Sequence, residues 1–313
     1  MTFAFIFPGQ GSQAVGMGQE LAGTFPAAAD VFNEIDEALG ENLSKLMFEG
    51  PEDTLTLTEN AQPALMAVSL AVMRVLESEG GLDLKTKAKF IAGHSLGEYS
   101  ALAAAGTFSI SDAAKLLKTR GRAMQQAVPV GEGAMAALLG LDMDVAAKVA
   151  DEASQGEICT AANDNANGQV VISGAKAAVE RAIEISKENG AKRAVLLPVS
   201  APFHCALMAP AADIMADALA SVRMEAPCVP LIANVTASDV RDGAEIRRLL
   251  VEQVTGMVRW RESVLFMRDN GVETLVEIGA GKVLSGLARR IDRDLTAHNV
   301  GSPDDVEAFL KTL

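Results

Sequence analysis

Residues 93–97, with the sequence Gly-His-Ser-Leu-Gly, could carry nucleophilic chemistry. They follow an apolar run at 90–92 and precede an alanine-rich stretch, and a G-x-S-x-G pattern between a strand and a helix is typical of a sharp turn that exposes a nucleophilic serine. A serine hydroxyl needs a nearby base and donors for the oxyanion. Because Gly93 and Gly97 lack a Cβ, the strand and the helix can approach closely around Ser95. We therefore predict that Ser95 is a nucleophile at a helix N-terminus.

The base for such a serine can be sought among three histidines. His94 lies inside the turn, where its side chain should point away from that of Ser95 and pack against or orient the turn. His298 lies in a polar stretch near the C-terminus, and we expect it to be solvent-exposed. His204 follows a predicted strand at 193–199, and catalytic groups of open α/β sheets gather at strand ends. We therefore predict that His204 is the base.

A carboxylate that would orient this histidine does not stand out. In α/β-hydrolases an acid lies between the serine and the histidine, and the aspartates in that interval are Asp112, Asp142, Asp144, Asp151 and Asp164. Asp112 resembles a helix cap, and the others fall in a segment that we assign to an inserted domain. A dyad whose histidine is held by a backbone carbonyl therefore stays open. Cys205, next to His204, is a weaker candidate nucleophile because neighbouring side chains generally point apart.

Short apolar strands alternate with helices over residues 2–126. The turn at 93–97 lies between one such strand and the helix that follows it. Strands are predicted at 2–7 and 90–92, and a glycine-rich turn follows the first strand at 8–13. We predict Ser111 and Asp112 as the cap of the last helix. The alternation favours a mostly parallel sheet covered on both faces. The predicted helices lie at 18–22, 26–39, 42–47, 62–79, 96–105 and 113–126.

The segment 128–198 has a different pattern. Its elements follow in the order β-α-β-β-α-β, which is the ferredoxin-like arrangement, and we predict an inserted subdomain there. The predicted strands are 133–141, 157–162, 169–173 and 193–199, the helices are 144–154 and 175–189, and a polar turn lies at 163–168. The larger, hydrolase-like α/β domain comprises 1–127 and 199–313. Its second part has predicted helices at 208–221, 243–253, 263–270 and from 282, and strands at 229–233 and 274–278.

The composition excludes several classes of protein. A chain of 313 residues with 49% hydrophobic and 22% charged residues is typical of a globular protein with one large domain and a smaller one. A net charge of −14 argues against nucleic-acid binding, and no apolar window reaches the ~20 residues that span a bilayer. No signal peptide is visible, and three widely spaced cysteines predict no disulfide framework and no metal site. We expect a cytoplasmic monomer without nucleic-acid, membrane or metal partners.

Five motifs occur in one order along the chain. They are Pro-Gly-Gln-Gly-Ser-Gln at 8–13, Gly-His-Ser-Leu-Gly-Glu at 93–98, Arg120-Gly121, Pro202-Phe203-His204 and Glu-Ile-Gly-Ala-Gly at 277–281. Together they resemble the malonyl-CoA:acyl-carrier-protein transacylases of fatty-acid synthesis and the related acyltransferase domains of polyketide synthases. The resemblance covers essentially the whole chain. It implies ping-pong transfer of malonyl from malonyl-CoA, through a malonyl-serine, to the phosphopantetheine thiol of acyl carrier protein. A coenzyme A thioester is then a substrate, and no bound cofactor is implied.

The resemblance also implies roles for the reacting groups. Ser95 would be the acylated serine and His204 its base. The backbone N–H groups of Gln10 and Leu96 would form the oxyanion hole, in agreement with a glycine-rich turn that presents amides. The backbone carbonyl of Gln253 would orient the histidine, which would account for the missing aspartate.

Further residues would select the acyl group. Arg120 would bind the free carboxylate of malonyl as a bidentate pair, and a buried cation left unpaired would reject acetyl. Phe203 would exclude the added methyl of methylmalonyl. Asn165 would help to close the site, and His94 is a weaker candidate for substrate binding.

An acidic carrier protein would have to dock on local basic patches of this acidic chain. The candidates are Lys192-Arg193 and the group Lys282, Arg289, Arg290 and Arg293. Two other functions stay open. One is a serine hydrolase that delivers the acyl group to water, and the other is a non-catalytic docking module, which would be expected to have lost Ser95 or His204. The sequence does not decide the pathway, the strictness against methylmalonyl or acetyl, or the docking surface.

Overall fold

A computed structural model describes residues 2–312, so Met1 and Leu313, the ends of the predicted large domain, lie outside the described residues. The strands are β1 (Phe3–Phe7), β2 (Ala88–Gly93), β3 (Gly133–Leu139), β4 (Cys159–Ala166), β5 (Gln169–Ala175), β6 (Arg193–Leu196), β7 (Leu231–Ile232), β8 (Asp239–Val240), β9 (Thr274–Ile278) and β10 (Thr296–Val300). The helices are α1 (Gln19–Thr24), α2 (Pro26–Leu39), α3 (Leu43–Glu49), α4 (Glu52–Thr56), α5 (Thr58–Gly80), α6 (Leu84–Lys87), α7 (Gly97–Ala104), α8 (Ile110–Gln126), α9 (Met143–Ser154), α10 (Lys176–Glu188), α11 (Ala209–Ala220), α12 (Gly243–Thr255), α13 (Trp260–Asp269), α14 (Val283–Ile291) and α15 (Pro303–Leu310).

The larger sheet is mostly parallel, as predicted. Its strand order is β10-β9-β1-β2-β7-β8, and only the pairing of β7 with β8 is antiparallel. Strand β1 lies in the interior, and all five of its residues are buried, as its continuous apolar sequence requires for a strand covered on both faces.

The two faces of β1 belong to different hydrophobic clusters because successive side chains alternate. Phe5 and Phe7 pack with residues of α2, α5, α7 and α8. Ala4 and Ile6 pack on the other face with residues of α13 and α14, among them the fully buried Trp260. The predicted covering of both faces is therefore confirmed.

The smaller sheet is antiparallel throughout, with the order β4-β5-β3-β6. The chain order is β3-α9-β4-β5-α10-β6, which is the predicted ferredoxin-like order. A separate hydrophobic cluster, made of the apolar faces of α9, α10 and this sheet, holds these elements together. The outer boundaries of the subdomain, 128 and 198, stay a prediction.

Several predicted elements differ from the structure. The polar segment 163–168 was predicted as a turn, but β4 continues to Ala166 with irregular register. The reason is a tertiary pairing: Val258 donates to the carbonyl of Ala162 and accepts from the N–H of Asp164, at 2.9 and 3.0 Å. The cap of α8 is Ser109, whose hydroxyl accepts from the N–H of Asp112. The prediction omitted the short or polar elements α4, α6, β8, β10 and α15.

Helix α5 begins earlier than the predicted residue 62, and its first turn is important for the site. The prediction placed the start near Pro63 because proline favours the first turn, but the structure extends the helix back to Thr58. The polar side chains of this turn are buried against α8: the Lys118 ammonium, for example, donates to Asn60 Oδ1 at 2.8 Å. Hydrogen bonds across the helix pair thus stabilise a start that local sequence preference did not indicate.

Helices α5 and α8 touch through their backbones at Gly121. A Cβ at this position would lie 2.5 Å from Glu59 Cα and 2.6 Å from the Thr58 carbonyl oxygen. Such distances are below any van der Waals contact, so only glycine fits. The contact fixes the position of α8 along α5, and it fixes the neighbouring Arg120 with it.

The described residues show neither a membrane-spanning helix nor a metal cluster. Among residues 2–312, no helix is long and apolar enough to cross a bilayer. In the same range, no three His, Cys, Asp or Glu side chains lie together as metal ligands would. Cys159, Cys205 and Cys228 are free thiols, and only Cys228 is exposed.

Gly121→Ala is expected to lower the free energy of unfolding by about 1–3 kcal/mol, because the backbone atoms that a Cβ would meet cannot move aside. Gly286→Ala is the matched control. Gly286 is an exposed glycine of α14 whose ideal Cβ has no neighbour within 4 Å, so alanine should leave the stability unchanged or raise it by up to about 1 kcal/mol. Urea unfolding of both variants measures the difference, and equal midpoints would contradict the close contact.

Candidate active site

The turn between β2 and α7 has the geometry of a strained elbow. Ser95 has a φ of 53°, a left-handed conformation that is costly for a residue with a side chain. A Cβ at Gly93 would lie 1.9 Å from the Gly97 carbonyl carbon, and one at Gly97 would lie 2.3 Å from the Phe7 carbonyl oxygen. The Asn234 side chain holds the elbow, since its Oδ1 accepts from the Ser95 N–H at 2.8 Å and its Nδ2 donates to the Gly93 carbonyl at 2.7 Å.

Ser95 and His204 form a hydrogen-bonded pair. Ser95 Oγ lies 2.8 Å from His204 Nε2, and His204 Nδ1 lies 2.9 Å from the Gln253 carbonyl oxygen and 3.1 Å from that of Gly256. Because carbonyl oxygens only accept, Nδ1 carries the ring proton, and Nε2 is left to accept from the serine hydroxyl. Two backbone carbonyls thus occupy the position where a hydrolase triad has a carboxylate.

The surroundings of His204 keep its imidazole neutral. Burial lowers its pKa to about 3, and the nearby positive charge of Arg120 acts in the same direction. The carbonyls of Gln253 and Gly256 oppose this shift but do not outweigh it. At neutral pH the ring is therefore in the form that can accept a proton from Ser95.

Arg120 reaches the same serine from α8 and is only 1% exposed. Its Nη2 donates to Ser95 Oγ at 3.1 Å and to Gln253 Oε1 at 2.8 Å, and its Nη1 donates to Gln62 Oε1 at 2.8 Å. Its Cζ lies 5.7 Å from the centroid of the Tyr99 ring. Within the described chain the guanidinium forms no ion pair, and its Nε has no hydrogen-bond partner. The guanidinium is therefore a buried cation that no carboxylate of the described residues contacts.

A buried carboxyl group that no sequence pattern predicted lies behind this arginine. Glu98 is 1% exposed, and its Oε2 accepts from Gln253 Nε2 at 2.5 Å. The same nitrogen donates to the Ser95 carbonyl at 2.9 Å, so Gln253 joins Glu98, Ser95 and Arg120 through one amide. Burial raises the pKa of Glu98 to about 8. An available signal was the position of this glutamate inside the motif at 93–98, on a helix with no other charged residue.

Two polar residues that bond the site were also missed. Gln62 accepts from Arg120, and Asn234 holds the elbow. Both lie far from residues 93–97 in the sequence, and no local pattern marks them as site residues. Only the packing of α5 against α8, and of β7 beside β2, brings them to Ser95.

The Ser95–His204 pair opens into a cleft of about 430 Å³ between the larger and the smaller sheet. Gln10 and Leu96 line it beside Ser95, and within residues 2–312 neither of their backbone N–H groups donates a hydrogen bond. Val171 of β5 lines the side formed by the smaller sheet. The cleft therefore offers unused donors next to a serine and its base.

The other candidate binding residues lie in the wall of this cleft. Asn165 Oδ1 accepts from His94 Nε2 at 2.8 Å, and the His94 ring lies 5.7 Å from that of Trp260. Burial lowers the pKa of His94. Phe203, adjacent to the histidine of the pair, is 9% exposed and also lines the cleft.

The remaining candidates lie away from the cleft. His298 is exposed on β10, as expected. The Cys205 thiol is buried, its Sγ donates to the Pro202 carbonyl at 3.2 Å, and burial raises its pKa, so it is not a competing nucleophile. The candidate docking cations are all exposed, namely Lys192, Arg193, Lys282, Arg289, Arg290 and Arg293.

Sequence comparisons place this chain in a known family. A model of the acyl transferase domain matches residues 4–297. The malonyl CoA-acyl carrier protein transacylase of Escherichia coli (strain K12) is 48% identical over 309 residues, which cover 99% of each chain. The corresponding protein of Bacillus subtilis (strain 168) is 47% identical over 311 residues, which cover 99% of this chain and 96% of that one.

Solved structures agree over the full length. An acyl-carrier-protein-S-malonyltransferase from Bartonella henselae is 59% identical with a TM-score of 0.97, and the match covers 100% of this chain and 99% of that one. A malonyl-transacylase solved in complex with its type II PKS acyl-carrier protein is 44% identical with a TM-score of 0.96, and the match covers 100% of both chains. The chain therefore belongs to the acyl transferase family and, within it, to the malonyl CoA-acyl carrier protein transacylases.

Proposed function

We propose that this protein transfers a malonyl group from malonyl-CoA to the phosphopantetheine thiol of an acyl carrier protein, through a malonyl-serine at Ser95. The observation that carries this proposal is the Arg120 guanidinium, which is buried beside the Ser95 hydroxyl and has no carboxylate partner in the described chain. A carboxylate is a stronger acceptor than the amide and hydroxyl oxygens that Arg120 now contacts. An acyl group with its own carboxylate, such as malonyl, supplies the missing counter-anion.

The first half-reaction acylates the serine. His204 Nε2 takes the proton of the Ser95 hydroxyl while Oγ forms a bond to the thioester carbonyl carbon. The backbone N–H groups of Gln10 and Leu96 donate to the developing oxyanion. The carbon–sulfur bond then breaks, and the coenzyme A thiolate takes the proton from the imidazolium. The carbonyls of Gln253 and Gly256 accept from Nδ1 in both the neutral ring and the imidazolium, so the ring keeps one orientation.

The second half-reaction returns the enzyme to its starting state. The thiol of the carrier protein gives its proton to His204 Nε2, and its sulfur attacks the malonyl-serine carbonyl. The same backbone donors stabilise the second oxyanion, and Ser95 Oγ leaves with the proton from His204. The relative solved with an acyl-carrier protein supports this class of partner. The exposed cations Arg289 and Arg290 on α14 are candidate contacts for its acidic surface.

Intact mass measured after brief exposure to malonyl-CoA tests the proposed function. We expect the unmodified protein to gain one malonyl group, and holo acyl carrier protein should remove it much faster than water does. Ser95→Ala should gain nothing, because the acceptor oxygen is absent. Accumulation of free malonate without an adduct would identify a hydrolase instead, and no adduct together with no turnover would leave only a docking module.

Arg120→Ala is expected to lower kcat/KM for malonyl-CoA by about 30-fold or more, because truncation of one partner of a buried, hydrogen-bonded charge pair costs about 2–5 kcal/mol. Acetyl-CoA has no carboxylate to lose, so its rate should stay constant or rise, and the malonyl-to-acetyl ratio should collapse. Arg122→Ala is the matched control, since Arg122 lies on the same helix but is half exposed and pairs with Glu41 and Glu59. Unchanged malonyl kinetics in Arg120→Ala would refute the assigned role.

The rate of Ser95 acylation should change by less than about twofold between pH 7 and pH 5. The pKa of His204 is lowered from 6.5 to about 3 by burial, and next by the charge of Arg120, so the neutral base persists throughout this range. A histidine with an ordinary pKa would be only about 3% neutral at pH 5, and the rate would fall more than tenfold. Rapid-quench single turnovers, with circular dichroism as a folding control, measure this. A tenfold loss per pH unit below 6.5 would contradict it.

A further inference from the structure

A chain of hydrogen bonds leads from Arg120 to Gln10 along the buried side of the cleft. Arg120 Nη1 donates to Gln62 Oε1 at 2.8 Å, Gln62 Nε2 donates to Thr58 Oγ1 at 2.9 Å, and Thr58 Oγ1 donates to Gln10 Oε1 at 2.9 Å. Thr58, Gln62 and Arg120 are each at most 2% exposed. The chain therefore joins the proposed carboxylate-binding residue to one of the two proposed oxyanion donors.

The directions of the first two bonds in this chain follow from the arginine. A guanidinium has no acceptor, so the oxygen of the Gln62 amide must face it and the nitrogen must face Thr58. The Thr58 hydroxyl then accepts from Gln62, and its single proton is left for the oxygen of Gln10. Removal of the polar group of any one member would leave a buried donor or acceptor without a partner, which is costly.

The Thr58 hydroxyl does not cap the backbone of its own helix. Threonine near a helix start often caps a free backbone N–H, but no side chain caps the N-terminus of α5. The backbone of Thr58 is held by its close contact with Gly121 of α8, since a Cβ at Gly121 would lie 2.6 Å from the Thr58 carbonyl oxygen. Its hydroxyl is thus held at a defined position between Gln62 and Gln10.

In the described chain the Gln10 side chain has a single hydrogen-bond partner, and the loop beyond it is open to solvent. Residues 11–20 are exposed or half-buried, and within the described residues Thr58 is the only hydrogen-bond partner of the Gln10 side chain. A donor that stabilises a transition state must be held at a distance of about 3 Å before the reaction begins. The link to Thr58 restrains the side chain of Gln10, in addition to the packing of Gly9, whose added Cβ would lie 2.8 Å from the His94 carbonyl oxygen.

We propose that Thr58 is a positioning residue whose hydroxyl couples the carboxylate site at Arg120 to the oxyanion donor at Gln10. This inference rests on the proposed function. A malonyl carboxylate that orders the guanidinium also orders Gln62, Thr58 and Gln10, so the carboxylate aids the chemical step as well as binding. Thr58 touches no reacting atom and acts only through its neighbours.

Thr58→Val and Thr58→Ser test the coupling. Valine keeps the shape and removes the hydroxyl, whereas serine keeps the hydroxyl. At saturating malonyl-CoA we expect the single-turnover acylation rate to fall about tenfold in Thr58→Val, because misplacing one oxyanion donor impairs the chemical step. Thr58→Ser should stay within about threefold of the unmodified protein, and KM should change less than kcat.

Thr107→Val is the matched control for the removal of a buried hydroxyl. Thr107 is 2% exposed, its Oγ1 has no partner in the described chain, and it does not line the cleft. The acylation rate of Thr107→Val should equal that of the unmodified protein. A rate in Thr58→Val equal to that of Thr107→Val, or a loss in Thr58→Ser as large as in Thr58→Val, would overturn the positioning role.

The link to Arg120 is tested by repeating Thr58→Val in the Arg120→Ala background. With the first member of the chain absent, the valine substitution should cost less than about threefold. A tenfold loss in both backgrounds would show that Thr58 acts on Gln10 independently and would overturn the coupling. Failure of the unmodified protein to form any malonyl adduct would instead overturn the proposed function, and the coupling with it. An adduct that forms equally fast on Thr58→Val overturns the coupling alone.

Discussion

The Arg120 guanidinium is removed from water and surrounded by neutral acceptors, and the rest of the site is arranged around it. A buried cation without a paired anion is costly, so it persists only where the surroundings supply hydrogen bonds and where a ligand supplies the charge. Gln62 and Gln253 provide the amide oxygens. The same positive charge helps to keep His204 neutral, which is the form that can accept a proton. In the proposed reaction the buried charge of Arg120 therefore affects both the choice of acyl group and the protonation state of the base.

Close backbone contacts convert this electrostatic constraint into a fixed geometry. Gly93 and Gly97 allow the elbow to form, and Gly121 sets α8 against α5. The side chains that bond Arg120 come from α5 (Gln62), α12 (Gln253) and the elbow (Ser95). Their positions are therefore set by the packing of these elements. Gln253 is central because its carbonyl orients His204 while its amide contacts Arg120, Ser95 and Glu98. Displacement of α12, which carries it, would disturb the base and the cation together.

Sequence patterns predicted the fold well where a local rule applies. The elbow, the apolar strand β1 and the order of elements in the smaller sheet follow from glycine placement, burial and alternation. The errors occur where tertiary contacts override such rules. The polar residues at the end of β4 have the composition of a turn, but they form a strand because Val258 pairs with them. The first turn of α5 is stabilised by hydrogen bonds to α8, so no local pattern predicted it. The two-residue strand β8 was missed because it exists only through its pairing with β7.

The sequence by itself determined which chemical groups are present. Ser95 in its glycine-flanked turn, the choice of His204 among three histidines, and the absence of an obvious orienting acid all follow from residue types and spacing. Only the tertiary structure decided which neutral groups support them. Glu98, Gln62 and Thr58 carry ordinary polar side chains whose roles arise from partners far away in the chain. Hydrogen bonds act over about 3 Å, so a bond between distant residues is set by how the helices pack.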